Sequence, residues 1–126
     1  MRAPLLGFAA RRWRSMHHAA NGIARLVREE VHARIHLVAT ILLGSAGVAS
    51  GLPPERWRWL VVACALVWMA EAFNTAIERL ADRVCPTQDP AIGAAKDLAA
   101  GAVLLAVIAA FAIGVSLLPA LTGVRS

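Results

Sequence analysis

Three long stretches almost free of charge constrain this chain more than any other feature. Residues 35–52 carry no formal charge, residues 59–77 carry one, at Glu71, and residues 98–118 carry none. Each approaches the ~20 residues a helix needs to cross about 30 Å of hydrocarbon. Backbone in lipid must satisfy its own hydrogen bonds, which makes helices the expected form. The spacing predicts an all-α membrane protein with membrane helices over 35–52, 57–84 and 96–118. The first is short and contains Gly44, Gly47 and Gly51, so a helix buried beneath the others is the alternative there. Leu52-Pro53-Pro54 stops it, and Trp57 and Trp59 suit an interfacial anchor at the start of the next. A second turn is expected at Cys85-Pro86-Thr87-Gln88-Asp89-Pro90, and Pro119 is expected to end the last span.

With 126 residues, 17% charged, and a mean hydropathy of +0.62, the chain makes one membrane domain over 1–126 with no room for a separate globular module. Cys64 and Cys85 form no CxxC pair or disulfide framework and read as ordinary thiols. The amino terminus lacks the order of a cleaved signal, because Arg11, Arg12 and Arg14 follow the short apolar patch. Residues 8–30 instead repeat at helical spacing. Trp13, Met16, Ala20, Ile23 and Val27 mark one face, and Arg11, Arg14, His18, Asn21, Arg25 and Arg28 mark the other. Such a basic amphipathic helix is expected to lie in the membrane interface, apolar side in lipid.

The net charge of +5 is carried almost wholly by Arg, the cation suited to bidentate contact with phosphates. No zinc-finger, homeodomain or RNA-binding signature accompanies it, so a nucleic-acid partner is not expected. With the amino terminus inside, Arg2, Arg11, Arg12, Arg14, Arg25, Arg28, Arg34, Arg79, Arg83 and Lys96 lie on the cytoplasmic side. Arg56, Arg58 and Arg125 are left outside. The amphipathic helix and the 82–97 loop then share the cytoplasmic face.

The chemistry concentrates on the second span. Glu71, Asn74, Glu78 and Asp82 follow steps of three, four and four, which puts them within about 80° of one helix face. An ionisable group at membrane depth is costly and therefore a functional candidate, although a protonated Glu71 serving as an interhelical hydrogen-bond donor would also fit. Glu78 and Asp82 could equally be solvated acids beside Arg79 and Arg83. Glu29-Glu30 sits where the amphipathic helix meets the first span. Glu30 and Glu78 at one rim could hold a hard cation such as Mg2+, with open positions for phosphate oxygens. Lys96-Asp97 is expected to open the third span, where a lysine and a helix amino terminus would favour phosphate. A plain terminal charge pair is the alternative.

Other chemistries fit less well. Glu29-Glu30-Val31-His32 has a Glu-x-x-His spacing but no second copy, and His32 and His36 lack the HExxH of a zinc hydrolase. No phosphate-binding Gly-rich loop, HRD or DFG set occurs, which excludes a soluble-type ATP fold.

The run Glu71-Ala72-Phe73-Asn74-Thr75-Ala76-Ile77-Glu78, then Asp82, then Ala95-Lys96-Asp97-Leu98-Ala99-Ala100-Gly101-Ala102-Val103, closely resembles the small bacterial integral-membrane lipid kinases. These are the diacylglycerol kinase and undecaprenol kinase family. Asn21-Gly22 and Glu29-Glu30-Val31-His32-Ala33-Arg34-Ile35-His36 fit the same pattern in order, and the match covers about residues 8 to 118. The resemblance implies a homotrimer of three-span protomers in the bacterial cell membrane, with an interfacial amino-terminal helix and shared cytoplasmic active sites. It implies transfer of the γ-phosphoryl group of Mg·ATP to a lipid hydroxyl. At matching positions it makes Glu71 the general base, Asn74 a positioning group, and Glu30 and Glu78 the metal ligands. Glu30, Glu78, Asp82, Asp89, Lys96 and Asp97 would contact the nucleotide, and residues 87–89 would cover it. The Glu-Glu-Val-His-x-Arg-Ile-His and Lys-Asp-x-Ala-Ala-Gly-Ala-Val segments resemble the undecaprenol kinase branch more than the diacylglycerol kinase branch. Undecaprenol is therefore the expected acceptor, with diacylglycerol the alternative. The Arg- and Trp-rich amino terminus and the Pro53-Pro54 turn depart from that branch. The non-enzymatic rival is a small membrane transporter using Glu71 as a proton or substrate site, which would need neither Glu30 nor Lys96 and Asp97.

Overall fold

The computed structural model describes residues 3–122, with side chains over 11–122; Arg2 and Arg125 of the topology argument lie outside the described residues. Among the described residues every regular element is a helix: α1 (Ala3–Glu29), α2 (Val31–Ala49), α3 (Pro54–Val84) and α4 (Pro90–Leu121). Three of them, α2, α3 and α4, are long and apolar enough to cross a membrane.

Helix boundaries follow from local chemistry. Glu30 alone separates α1 from α2, with extended angles of φ −105° and ψ 127°. The first span therefore starts at Val31 rather than residue 35, and α1 turns into it at a corner. At its far end α2 stops in a paired carbonyl cap. Gly51 takes φ +65°, a left-handed conformation that favours glycine. The Gly51 N–H then donates to Val48 O and the Leu52 N–H to Gly47 O. Pro53 and Pro54 follow, and Pro54 occupies the first turn of α3, where a missing N–H costs nothing. Glu55 in the first turn and Arg83 in the last suit the helix dipole.

Both expected ends of α4 move as well. Helix α4 begins at Pro90 and not at residue 96, because Asp89 Oδ1 accepts from the N–H groups of Ala91 (2.8 Å) and Ile92 (3.2 Å). Lys96 and Asp97 thus lie in the second turn of a continuing helix and present no free amino terminus. Pro119 does not end α4, which runs to Leu121. Its missing N–H falls in the final turn, where the Thr122 N–H and hydroxyl both donate to Leu118 O at 2.9 Å.

Helices α3 and α4 pack along their length, and α2 leans on α3 more sparingly. The face of α3 turned inward is Leu60, Ala63, Val67, Glu71 and Thr75, a stripe at steps of three and four. Leu52, Leu60 and Leu117 close the end near the α2–α3 turn, with Leu43, Trp57 and Ile113 packed around them. Across the middle, Trp68 Nε1 donates to Thr40 Oγ1 (3.1 Å), which donates to His36 O (2.7 Å). Most other large apolar side chains face outward, among them Phe73, Leu105 and Phe111. In a membrane span the outward face meets lipid tails or another helix, so this surface carries no hydration penalty.

Candidate active site

The end of the bundle away from Leu52 gathers most of the polar side chains singled out by spacing. Along α3 they form a ladder about 16 Å long from Glu71 to Asp82, at about 1.5 Å per residue. Glu71 is buried, 5% exposed, and Thr75 one turn on is buried beside it. Asn74 Nδ2 donates to Glu78 Oε1 at 3.1 Å, so the amide oxygen points away from that carboxylate. Asn74 Oδ1 is buried and has no hydrogen-bond partner.

Two ion-pair systems bring other helices to this ladder. Arg79, the residue after Glu78, donates from Nη2 to Glu30 Oε1 at 2.8 Å. The same nitrogen lies 2.8 Å from Glu29 Oε2, while Arg25 Nε stands 3.8 Å from Glu29 Oε1. One turn further along α3, Asp82 Oδ1 accepts from Lys96 Nζ of α4 at 2.9 Å. A cavity of about 560 Å³ opens beside this pair, lined by Asp82, Cys85, Thr87, Gln88, Asp89 and Lys96 among others. An apolar groove of about 370 Å³ runs up the bundle, with His36, Thr40, Trp68, Phe111 and Leu118 in its walls.

Glu30, Glu78, Asp82 and Lys96 thus stand around one end of α3, and Glu71 and Asn74 lie deeper on the same helix. Asp97 is exposed on α4 next to Lys96. Among the described residues no group of three His, Cys, Asp or Glu side chains is placed to hold a metal ion. Three features escaped sequence reasoning. Asp89 caps α4, a role readable from an Asp-Pro pair before an apolar run. Thr75 shares the buried face of Glu71, readable from its step of four. Arg79 joins Glu30 across 49 residues and Glu29 beside it, and no local spacing signals such a pair.

Comparison with known proteins bears on this arrangement. Residues 17–118 match the family described as Prokaryotic diacylglycerol kinase. The chain belongs to that family. It is therefore a lipid kinase and an integral membrane protein. It is also 31% identical over 102 residues to the undecaprenol kinase of Bacillus subtilis (strain 168), covering 81% of this chain and 83% of that protein. No solved structure matches.

Proposed function

We propose that the chain phosphorylates undecaprenol, transferring the γ-phosphoryl group of ATP to the lipid hydroxyl at the cytoplasmic face of the bacterial cell membrane. The observation that carries this reading is a buried Glu71 one turn below the hydrogen-bonded pair of Asn74 and Glu78. Such a carboxylate can take a proton from an alcohol that reaches it out of lipid. The likeness to an undecaprenol kinase favours the acceptor.

In this mechanism Glu71 accepts the hydroxyl proton as that oxygen bonds to the γ-phosphorus. The bond from the γ-phosphorus to the β–γ bridging oxygen breaks, and ADP leaves with its electron pair. Asn74 orients Glu78 and the reacting groups. Lys96, held by Asp82, supplies positive charge to the nucleotide, with Asp97 beside it and the 85–89 cavity receiving the rest of ATP. Asp89 shapes that cavity by capping α4. The donor set fits a hard divalent cation. Glu30 and Glu78 offer carboxylate oxygens, Asn74 Oδ1 is a buried oxygen without a partner, and Mg2+ takes few protein ligands while keeping water. Glu30 and Glu78 would hold Mg2+, which would neutralise phosphate charge when bound.

Three copies sharing sites between neighbours complete the reading, consistent with the open outward faces of the spans. Helix α1 lies in the interface: Trp13 and Met16 are 73% and 66% exposed among the described residues, and Arg14 and His18 are exposed as well. The test is transfer of labelled phosphate from Mg·ATP to undecaprenol and to diacylglycerol in parallel, with Glu71→Gln as control. Label on undecaprenol that vanishes in the control is expected. Label chiefly on diacylglycerol keeps the mechanism and moves the acceptor, and label on neither lipid ends the proposal.

A further inference from the structure

We propose that Arg79 is a positioning residue: it docks the corner between α1 and α2 onto α3 and aims the carboxylate of Glu30 for cation and phosphate binding. The inference rests on the kinase reading and extends it to a residue that neither the motif nor the polar stripe assigns.

The corner is weakly built without Arg79. Glu30 is the sole non-helical residue between two helices, and no side chain caps the start of α2. Leu26 and Ala33 are buried on either side of it, while every described side chain of α1 from Arg11 to Ile23 is exposed. The orientation of α1 and the placement of Glu30 therefore depend on few contacts. At the corner Arg79 supplies a polar one, with a single Nη2 against Glu29 Oε2 and Glu30 Oε1 at 2.8 Å each.

Three details favour positioning over bulk stability. The charges are open to solvent, with side chains 41%, 51% and 31% exposed for Arg79, Glu29 and Glu30, and exposed ion pairs add little stability. The bond to Glu30 engages Oε1, so its other oxygen can serve a further ligand while the carboxylate is held. Arg79 also follows Glu78 directly in α3, so one short stretch of helix carries one proposed ligand and the anchor of the other. Glu29 has a part in this balance. It offsets the cation of Arg79, leaving the net charge of the three side chains at −1. A site for a divalent cation then keeps its attraction without a second free carboxylate facing ATP. Partners that orient a metal ligand in this way typically change metal affinity by about 10- to 100-fold when removed.

The experiment compares the wild type with Arg79→Met, Arg79→Lys and Glu78→Gln, reconstituted in lipid nanodiscs. Two quantities are read: the Mg2+ concentration giving half-maximal phosphate transfer at fixed ATP, and amide hydrogen exchange over residues 26–34. Arg79→Met is expected to raise the Mg2+ requirement about tenfold with kcat held within about threefold, and to speed exchange at the corner. Arg79→Lys, which keeps the charge, is expected to restore most of both. Glu78→Gln is expected to raise the Mg2+ requirement with corner exchange unchanged. Unchanged exchange in Arg79→Met overturns the docking role. Faster exchange with an unaltered Mg2+ requirement overturns the positioning role. If the wild type phosphorylates neither lipid, the kinase reading fails and the positioning role falls with it, while the exchange data still report whether Arg79 holds the corner.

Discussion

At the end of the bundle near the α2–α3 turn, the helices meet through close apolar contact: Leu52, Leu60 and Leu117 are buried together, and the Trp57 ring packs so near Gly47 that a Cβ there would come within 2.9 Å of it. At the other end the helices meet through charge. Arg79 reaches Glu29 and Glu30, Lys96 reaches Asp82, and the side chains stay partly open to solvent. The first end is sensitive to volume, because a packed interior has nowhere to put an added methyl. The second is sensitive to charge and salt, because each contact joins exposed groups that a ligand can also use. A protein that must bind a polyanion yet stay folded in lipid gains from this division, since the apolar contacts at one end hold the spans without using the binding groups.

The largest expected effect tests whether the buried carboxylate between the two ends belongs to chemistry or to packing. Glu71→Gln keeps the shape of the side chain and a hydrogen-bonding end. If Glu71 is the base, phosphate transfer falls about 10²- to 10⁴-fold while the thermal midpoint in detergent stays near that of the wild type. Activity and thermal midpoint both near wild type would make it an interhelical hydrogen-bond donor instead, because the amide of Gln still donates.

Next in size is a break at the packed end. A Cβ on Gly47 would sit 2.9 Å from Cη2 and Cζ2 of Trp57, so Gly47→Val must displace the indole ring. Overpacking of this kind costs about 1–3 kcal/mol, measured as a lowered midpoint of unfolding, with kcat and the ATP KM of the folded fraction unchanged. A change in ATP KM would show that the two ends are coupled.

At the charged end Lys96→Met leaves Asp82 without its partner and removes the cation beside the 85–89 cavity. The ATP KM is expected to rise about tenfold, and the difference from wild type to shrink as salt screens the site. Steady-state kinetics at two ionic strengths checks both points. A salt-independent loss would argue for a structural role of the pair.

The two ends also differ in how far they could be read beforehand. The spans were legible because exclusion of charge is a property of contiguous residues, and the ladder from Glu71 to Asp82 because four side chains of one helix share a face. By sequence α4 reads as starting six residues late, since Lys96-Asp97 looks like a charged beginning and the apolar run follows it. The true start lies in the turn, where Asp89 and Pro90 cap and open the helix. Pairing between helices was not legible at all. Nothing local to Arg79 tells that it will meet Glu29 and Glu30, or that Leu26, outside the expected apolar stripe of α1, is the residue buried there.

The smallest effect separates two uses of one carboxylate. Asp89 stands in the wall of the cavity, where it could contact a nucleotide, and its Oδ1 accepts from two N–H groups of α4. Asparagine caps a helix about as well as aspartate, whereas alanine loses about 1 kcal/mol. If capping is what Asp89 does, Asp89→Asn keeps both the thermal midpoint and the ATP KM. Asp89→Ala then lowers the midpoint and raises KM severalfold, because the first turn of α4 frays and the cavity wall loosens. If the negative charge itself meets the nucleotide or its cation, Asn and Ala raise KM alike while only Ala loses stability. Thermal unfolding and ATP kinetics of the two variants side by side decide whether this position belongs to the scaffold of the charged end or to its ligand.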